Sequence, residues 1–271
     1  MPEGDTVWLS AQRMRAALAG RELTRFDLRV PRLATVDLVG RTVVDVASRG
    51  KHMLIRIGGG FTLHTHFKME GSWRLYRPRQ RWMGGPDHQV RAVLGNAEWT
   101  AVGYRLAVVE LIPTTDEEAT VGYLGPDLLG SDWDADEAVR RLLREPERSV
   151  GEALLDQRNL AGIGNLYKSE VLFLRGVHPW TPVGDVPDLH ALVTLAQRLL
   201  EANKRRWEQV TTGDLRHGRQ RYVYGRGGEP CRRCRTRVAR AQQGDDPLTE
   251  RVTYWCPSCQ PWRSTAPPPY R

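Results

Sequence analysis

No apolar run in this chain is long enough to span a bilayer, which excludes a helical membrane protein. The first residues lack the basic stretch and apolar core of a secretory signal. A cytoplasmic protein is therefore expected, nucleoid-associated in a bacterium. Cysteine is scarce, with four in 271 residues, and in that compartment they suit ligation better than disulfide bonding. Acidic residues are outnumbered: 32 Asp and Glu face 40 Lys and Arg, giving a net charge of +8 and a pI near 9.6. A basic excess fits a polyanion such as nucleic acid without requiring one. No internal repeat is found. The length allows two domains and a small extra module.

What is present begins at the second residue. Once Met1 is removed, Pro2 offers a secondary amine as the chain terminus. An α-amino group titrates near pH ~8, so part of it is unprotonated and nucleophilic at neutral pH. Such an amine can form an iminium with a sugar carbon, dividing one difficult step into easier ones. Glu3 brings a carboxyl able to move protons. The competing reading is an ordinary chain start, and only the rest of the sequence can decide between them.

Asp5 or Thr6 can cap a helix running to about Leu18, with Val7, Ala11, Met14 and Leu18 on one stripe and Gly20 as its stop. From about Arg21 to Leu111 the pattern changes to short alternating runs. Strands are expected at Leu23–Val30, Thr42–Ala47, Met53–Ile57, Phe61–Phe67, Ser72–Arg77, Gln89–Leu94, Trp99–Val102 and Leu106–Leu111. Turns are expected at Gly58-Gly59-Gly60 and Gly95-Asn96. Many short strands with few helices indicate an antiparallel sandwich or barrel. His64 and His66, two apart, share a strand face; packing or hydrogen bonding is the expectation there rather than a metal.

Gly125-Pro126-Asp127 reads as a domain exit, and helical patterns follow. Asp134 or Asp136 opens one helix. Ser149-Val150-Gly151-Glu152 has capping-box spacing for a second. After the turn Asn159–Asn165 comes a helix from about Leu166 to Arg175 stopped by Gly176, then a long one from about Asp188 to Gln209. Thr212 to Arg226 is dense in Arg, Gly and His and reads as a basic linker. The Gly162-Ile163-Gly164-Asn165 turn presents backbone N–H groups at a helix start, which makes a candidate phosphate site at Gly164 and Asn165; the alternative is a plain helix–helix turn.

Cys231-x2-Cys234 and Cys256-x2-Cys259 are separated by 21 residues. Two such pairs can surround one zinc ion tetrahedrally, and a segment this short has little core without it. Four cysteines leave no open position, so the zinc is a scaffold. The run between them can form a hairpin. Lys51, at an expected strand start, and Arg251, five residues before Cys256, read by themselves as solvated charges.

Taken together these features resemble one family. Met1-Pro2-Glu3-Gly4, Gly50-Lys51, Leu155-Asp156-Gln157 followed by Asn165-Leu166-Tyr167, and the paired cysteines with Gln260 after the last occur in fixed order from Pro2 to Gln260. The chain resembles the DNA glycosylases of the formamidopyrimidine-glycosylase and endonuclease VIII family. The resemblance implies an α+β protein: an N-terminal helix with an antiparallel β-sandwich (residues 1–124), a helix-two-turn-helix domain (125–222), a zinc finger (223–262) and a disordered tail (263–271). It implies a monomer that binds damaged DNA between its lobes. Pro2 would attack C1′ of the damaged nucleotide and Glu3 would move protons at the sugar. Lys51 would contact phosphate and support elimination, Asn165 would bind phosphate, and Arg251 would grip the phosphates flanking the lesion. The loop His66–Gly71 matches the family's intercalating loop, with Met69 as wedge and Lys68 beside it. The base must leave the stack before C1′ is reachable. Glu70 is a departure, since an acid near phosphate opposes binding.

Two further absences bear on the substrate. The Asp-Pro-Arg-Arg-Phe run of the oxidised-purine branch is missing, residues 98–107 reading Glu-Trp-Thr-Ala-Val-Gly-Tyr-Arg-Leu-Ala. Thr212–Tyr222 is too short for that branch's base-capping loop. Both fit the endonuclease VIII branch and oxidised pyrimidines, although Tyr123 stands where that branch places an arginine. The expectation is a bifunctional glycosylase and abasic-site lyase without organic cofactor or catalytic metal. Rival readings are an oxidised-purine glycosylase of the same family, a non-catalytic DNA-binding protein and a zinc-ribbon RNA-binding protein.

Overall fold

A computed structural model of the chain describes residues 2–244 and 250–263. The chain divides into two compact units, Met1–Tyr123 and Leu124–Arg271. In the first, helix α1 (Gly4–Leu18) precedes eight strands: β1 (Arg25–Leu28), β2 (Val43–Arg49), β3 (His52–Ile57), β4 (Phe61–His66), β5 (Ser72–Tyr76), β6 (Val90–Gly95), β7 (Thr100–Tyr104) and β8 (Val108–Pro113). Each expected strand is present. They form two antiparallel four-stranded sheets, ordered β1-β6-β7-β5 and β2-β3-β4-β8. The α1 stripe Val7, Ala11, Met14 and Leu18 is buried with Ile55 and Leu63 of one sheet and Leu94 and Ala101 of the other. Helix α2 (Glu117–Val121) closes the unit, with Glu117 receiving three hydrogen bonds from the Arg56 guanidinium and one from Thr62.

The start of α1 differs from expectation. Glu3 is the N-cap, extended at φ −119° and ψ −173°, and its carbonyl accepts the Val7 amide at 3.1 Å. Asp5 is already helical, and its carboxylate accepts the Thr6 amide at 2.8 Å. The helix thus begins at the residue after Glu3.

The second unit holds α3 (Ala135–Leu142), α4 (Val150–Leu155), α5 (Asn165–Arg175), α6 (Leu189–Asn203) and the antiparallel hairpin β9 (Ala239–Gln243) and β10 (Arg251–Trp255). Asp134 and Asp188 cap α3 and α6 through their side chains. The expected capping box at α4 does not form. Ser149 occupies the N-cap, but its hydroxyl bonds the Glu152 carboxylate, and the Val150 and Gly151 amides donate to Thr181 and Pro179 carbonyls. Gly151 is there for space: a Cβ would lie 2.4 Å from Oε1 of Gln243.

Helix α6 ends at Asn203, six residues short of expectation. The Asn203 amide donates to Leu199 and Val210 carbonyls and its oxygen accepts the Val210 amide, folding the chain back. The presumed basic linker is also more than a linker. Residues 211–220 close a short loop, with the Thr211 amide donating to Gln220 and the Thr212 hydroxyl to Arg219. Its continuation is fastened to Glu170 of α5, a fully buried carboxylate. Tyr222, Val223 and Tyr224 each donate a backbone N–H to it at 2.8 Å, and the Thr211 hydroxyl adds a fourth bond. The expected tail lies, from residue 264, outside the described residues, as do residues 245–249 of the hairpin tip.

Removing the Glu170 carboxylate strands the three backbone N–H donors of residues 222–224, each costing about 1–3 kcal/mol when unsatisfied, while the Thr211 hydroxyl keeps the Gln220 carbonyl. Glu170→Ala should therefore destabilise the second unit by about 3–5 kcal/mol, as breaking a buried charged network does. Denaturant unfolding measures this, with the exposed Glu147→Ala expected within about 0.5 kcal/mol of the parent.

Candidate active site and nucleic-acid interface

Pro2 is half-buried and Glu3 fully buried at the N-terminus of α1. The helix dipole brings partial positive charge there. Pro2 and Glu3 are adjacent at the start of α1, which is anchored on the sandwich core and keeps this end of the chain from fraying.

Lys51 sits in the two-residue turn of the β2–β3 hairpin, not at a strand start. Arg49 pairs with His52 across it, and Gly50 supplies the positive φ of +55° that the turn needs at its first central position. Strand register then collects three imidazoles beside this turn. His52 on β3 faces His66 on β4, and its Nδ1 lies 2.8 Å from Nε2 of His64. Nδ1 of His64 lies 3.0 Å from the Glu110 carboxylate, and the Tyr123 hydroxyl 3.4 Å from Nε2 of His52. His64 and His66 therefore serve hydrogen bonding. Burial first, then neighbouring histidines and the charges of Lys51 and Lys68, hold His52 down at about 3. Burial and the same two lysines hold His66 at about 4. Both rings are neutral at physiological pH, and the lysines carry the charge.

The β4–β5 loop projects Lys68 and Met69. Lys68 takes a left-handed φ of 52°, and its amide donates to Nδ1 of His66 at 2.9 Å. Met69 is a methionine 59% exposed, costly in water and available to a stacked partner. Glu70, the acidic departure, is 3.8 Å from Arg105, whose guanidinium also donates to the Glu70 carbonyl and, at 2.6 Å, to Gln89. Its charge is thus offset locally.

In the second unit, Gln157 shapes the glycine-containing turn: its amide donates to Leu155 and Ile163 carbonyls and its oxygen accepts the Gly162 amide. Gly164 is the N-cap of α5 and Asn165 its first residue. Asn165 is buried, and its side-chain nitrogen donates to the Val252 carbonyl at 2.8 Å. That bond joins the helix start to the residue after Arg251, bringing together two positions 86 apart in sequence. Asn165 Oδ1 has no hydrogen-bond partner among the described residues. Arg251 opens β10 and is exposed. Lys168, also fully buried on α5, donates to Thr253 at 2.5 Å, and Thr253 to Gln243.

The four cysteine sulfurs lie within 4.8 Å of one another, a spacing that can hold a metal ion. Without a cation their protons conflict: hydrogen bonding to Thr236 draws Cys234 down to about 6, while burial pushes Cys256 and Cys259 up. A central cation lets all four act as thiolates. Gln260 closes the second knuckle, accepting the Cys256 amide and donating to Val177.

Two family models match the chain, the formamidopyrimidine-DNA glycosylase N-terminal domain over residues 1–106 and its H2TH domain over residues 124–205. A relative from Streptomyces coelicolor, named probable endonuclease 8 2, is 60% identical over 96% of this chain and 94% of its own length. The chain belongs to the formamidopyrimidine-DNA glycosylase family. Another relative, from Mycolicibacterium smegmatis and named DNA-(apurinic or apyrimidinic site) lyase Nei2, is 48% identical over 96% of this chain and 99% of its own length. The Escherichia coli proteins named endonuclease 8 are 31% identical over 96% of this chain and all of theirs. The solved complex of Lactococcus lactis Fpg with DNA containing an abasic site superposes with a TM-score of 0.80, at 23% identity, covering 96% of this chain and all of that one, and shares the fold.

In this glycosylase-family chain, sequence reasoning missed His52, Glu110, Lys168 and Glu170, and it singled out Gln157 only within a motif and Tyr123 only as a departure. Of the four missed, only His52 carried a signal, its place next to Lys51; the others depend on register and packing. No helix among the described residues is long and apolar enough to cross a membrane.

The depressed histidines set a pH dependence. Their folded values, about 3 and about 4, lie below the ordinary 6.5, so the unfolded chain binds these protons more readily. Their contribution to stability is complete above pH 6.5 and is lost as pH falls from there, toward about 4 for His66 and about 3 for His52. Thermal unfolding across that window should show the loss, and His66→Asn should shrink it.

Proposed function

We propose that this chain is a bifunctional DNA glycosylase and abasic-site lyase of base excision repair that acts as a monomer on oxidised pyrimidines. The observation that carries the reading is the Pro2–Glu3 pair: a proline that becomes the terminal amine once Met1 is removed, beside a buried carboxyl at a helix N-terminus, in a chain 60% identical to an endonuclease 8 relative. After removal of Met1, the Pro2 nitrogen attacks C1′ of an extruded nucleotide. The base leaves with a proton, and Glu3 moves protons at the opening sugar. The nitrogen and C1′ become an iminium. Loss of a C2′ proton expels the 3′ phosphate, and a second elimination expels the 5′ phosphate.

The remaining assignments follow from charge and exposure. Lys51 and Lys68 flank neutral imidazoles, so phosphate meets lysine charge there. Met69 fills the gap left by the base. Gly164 and Asn165 bind phosphate at the start of α5, and Arg251 grips the flanking phosphates. The Asn165 bond to Val252 supports their acting together. Cys231, Cys234, Cys256 and Cys259 suit zinc, which would fix the hairpin carrying Arg251 and touch no reacting atom.

Borohydride should trap a covalent adduct between the mature protein and abasic DNA. A blocking N-terminal tag should abolish trapping, and normal trapping by the blocked protein would remove Pro2 from the scheme. Pro2→Gly retains an amine and should keep part of it.

Substrate class is tested separately. The closed loop of residues 211–220 is short, and a flipped 8-oxoguanine would lack partners that a longer loop supplies. Two unpaired buried polar groups at about 1–3 kcal/mol each slow release by roughly a hundredfold. Single-turnover release of thymine glycol, 5-hydroxyuracil or dihydrouracil should therefore outpace that of 8-oxoguanine opposite cytosine. Equal or faster 8-oxoguanine release assigns the chain to purine repair.

A further inference from the structure

Glu110, His64, His52 and Tyr123 form a single file of hydrogen bonds across the β2-β3-β4-β8 sheet, and the reaction above uses none of them. The strand register creates it. His64 on β4 lies opposite Glu110 on β8 and Leu54 on β3, and His52 shares the Leu54 face two residues away. The links measure 3.0, 2.8 and 3.4 Å from Glu110 to Tyr123. His64 is 4% exposed, whereas the Glu110 side chain reaches solvent. The His52 ring is also clamped, stacked on His64 at 5.1 Å and edge-on to His66 at 4.8 Å.

Hydrogen-bond chemistry gives the file a direction. A carboxylate only accepts, so His64 donates from Nδ1 to Glu110. With a single proton, on Nδ1, His64 accepts at Nε2, which makes His52 the donor from Nδ1. The Nε2 of His52 is left as an acceptor, and the Tyr123 hydroxyl donates to it. Which nitrogen of an imidazole carries the proton is set by the bond its other nitrogen makes, and here two rings transmit that choice in series. His52 is also the residue after Lys51 in a two-residue turn, so holding its ring holds the turn.

We propose that Glu110 and His64 are positioning residues that lock His52 in its Nδ1–H form and thereby fix the turn presenting Lys51 to the DNA. The inference rests on the assignment of Lys51 to phosphate contact and elimination. Tyr123 terminates the file as the hydroxyl that meets His52 Nε2.

The test uses the full chain with its metal. Imidazole ¹⁵N spectra at neutral pH should give His52 as the Nδ1–H form, and Glu110→Gln, on an exposed site that tolerates change, should shift it toward Nε2–H with little change in melting temperature. Glu110→Gln should slow single-turnover cleavage of abasic DNA about tenfold, the worth of one hydrogen bond, while leaving the dissociation constant within about twofold. In a Lys51→Ala background the same change should slow cleavage by less than about twofold, since both act through one group. His52 found as Nε2–H in the parent, or a full Glu110→Gln effect without Lys51, overturns the inference alone. Normal cleavage by Lys51→Ala overturns the Lys51 assignment, and the inference falls with it.

Discussion

The second unit depends on one constraint: helix α5 is buried along Asn165–Phe173 yet carries Asn165, Lys168, Ser169 and Glu170 there. Polar groups without water must be bonded, so each of these dictates what surrounds it. Glu170 gathers the backbone amides of residues 222–224. Lys168 holds Thr253, and Asn165 holds the Val252 carbonyl. A helix packed by apolar contacts alone could slide or rotate at little cost. This one cannot, because any displacement leaves a charge or an amide unpaired in the interior. The four-cysteine segment is thereby held to α5 by directional bonds as well as by the Phe173, Val223, Val238 and cysteine contacts around it.

The first unit solves a different problem, that of gathering positive charge without self-repulsion. Lys51 and Lys68 stand near three histidines, and protonating those rings would add like charges in a confined space. Burial prevents it at His52 and His66, which stay neutral well below physiological pH. The cost appears only in acid. The rings also supply fixed acceptors, as the Lys68 amide and the Tyr123 hydroxyl require. Glu70 is accommodated by the same economy of charge, since Arg105 stands beside it.

How much was legible follows from which interactions are local. The eight strands, the α1 stripe, the helix start near Asp134 and the paired cysteines were all readable, because periodicity and spacing act over a few residues. Errors fell where a distant partner won. Ser149 and Glu152 have the spacing of a capping box, but residues 179–181 satisfy the α4 amides instead. The α6 pattern continues past Asn203, yet that side chain bonds Val210 and ends the helix. The arginine-rich stretch after Thr212 looked unattached because nothing local reveals Glu170, more than 40 residues earlier.

By itself the sequence determined the parts: a terminal proline beside a glutamate, a lysine after Gly50, an exposed-type loop with Met69, an asparagine opening a helix, and two cysteine pairs. Residue identity decides what chemistry a group can perform, and motif order identified the family. Only the tertiary structure decided which groups meet. Strand register, a relation between segments that no single segment encodes, set His64 against both Glu110 and His52. Burial, which depends on the whole core, decided that Glu3 and Glu170 lie inside while Glu110 stays wet. Composition fixes how many charges a chain has, but the fold fixes which of them face water, and that difference governs their pKa, their partners and their use.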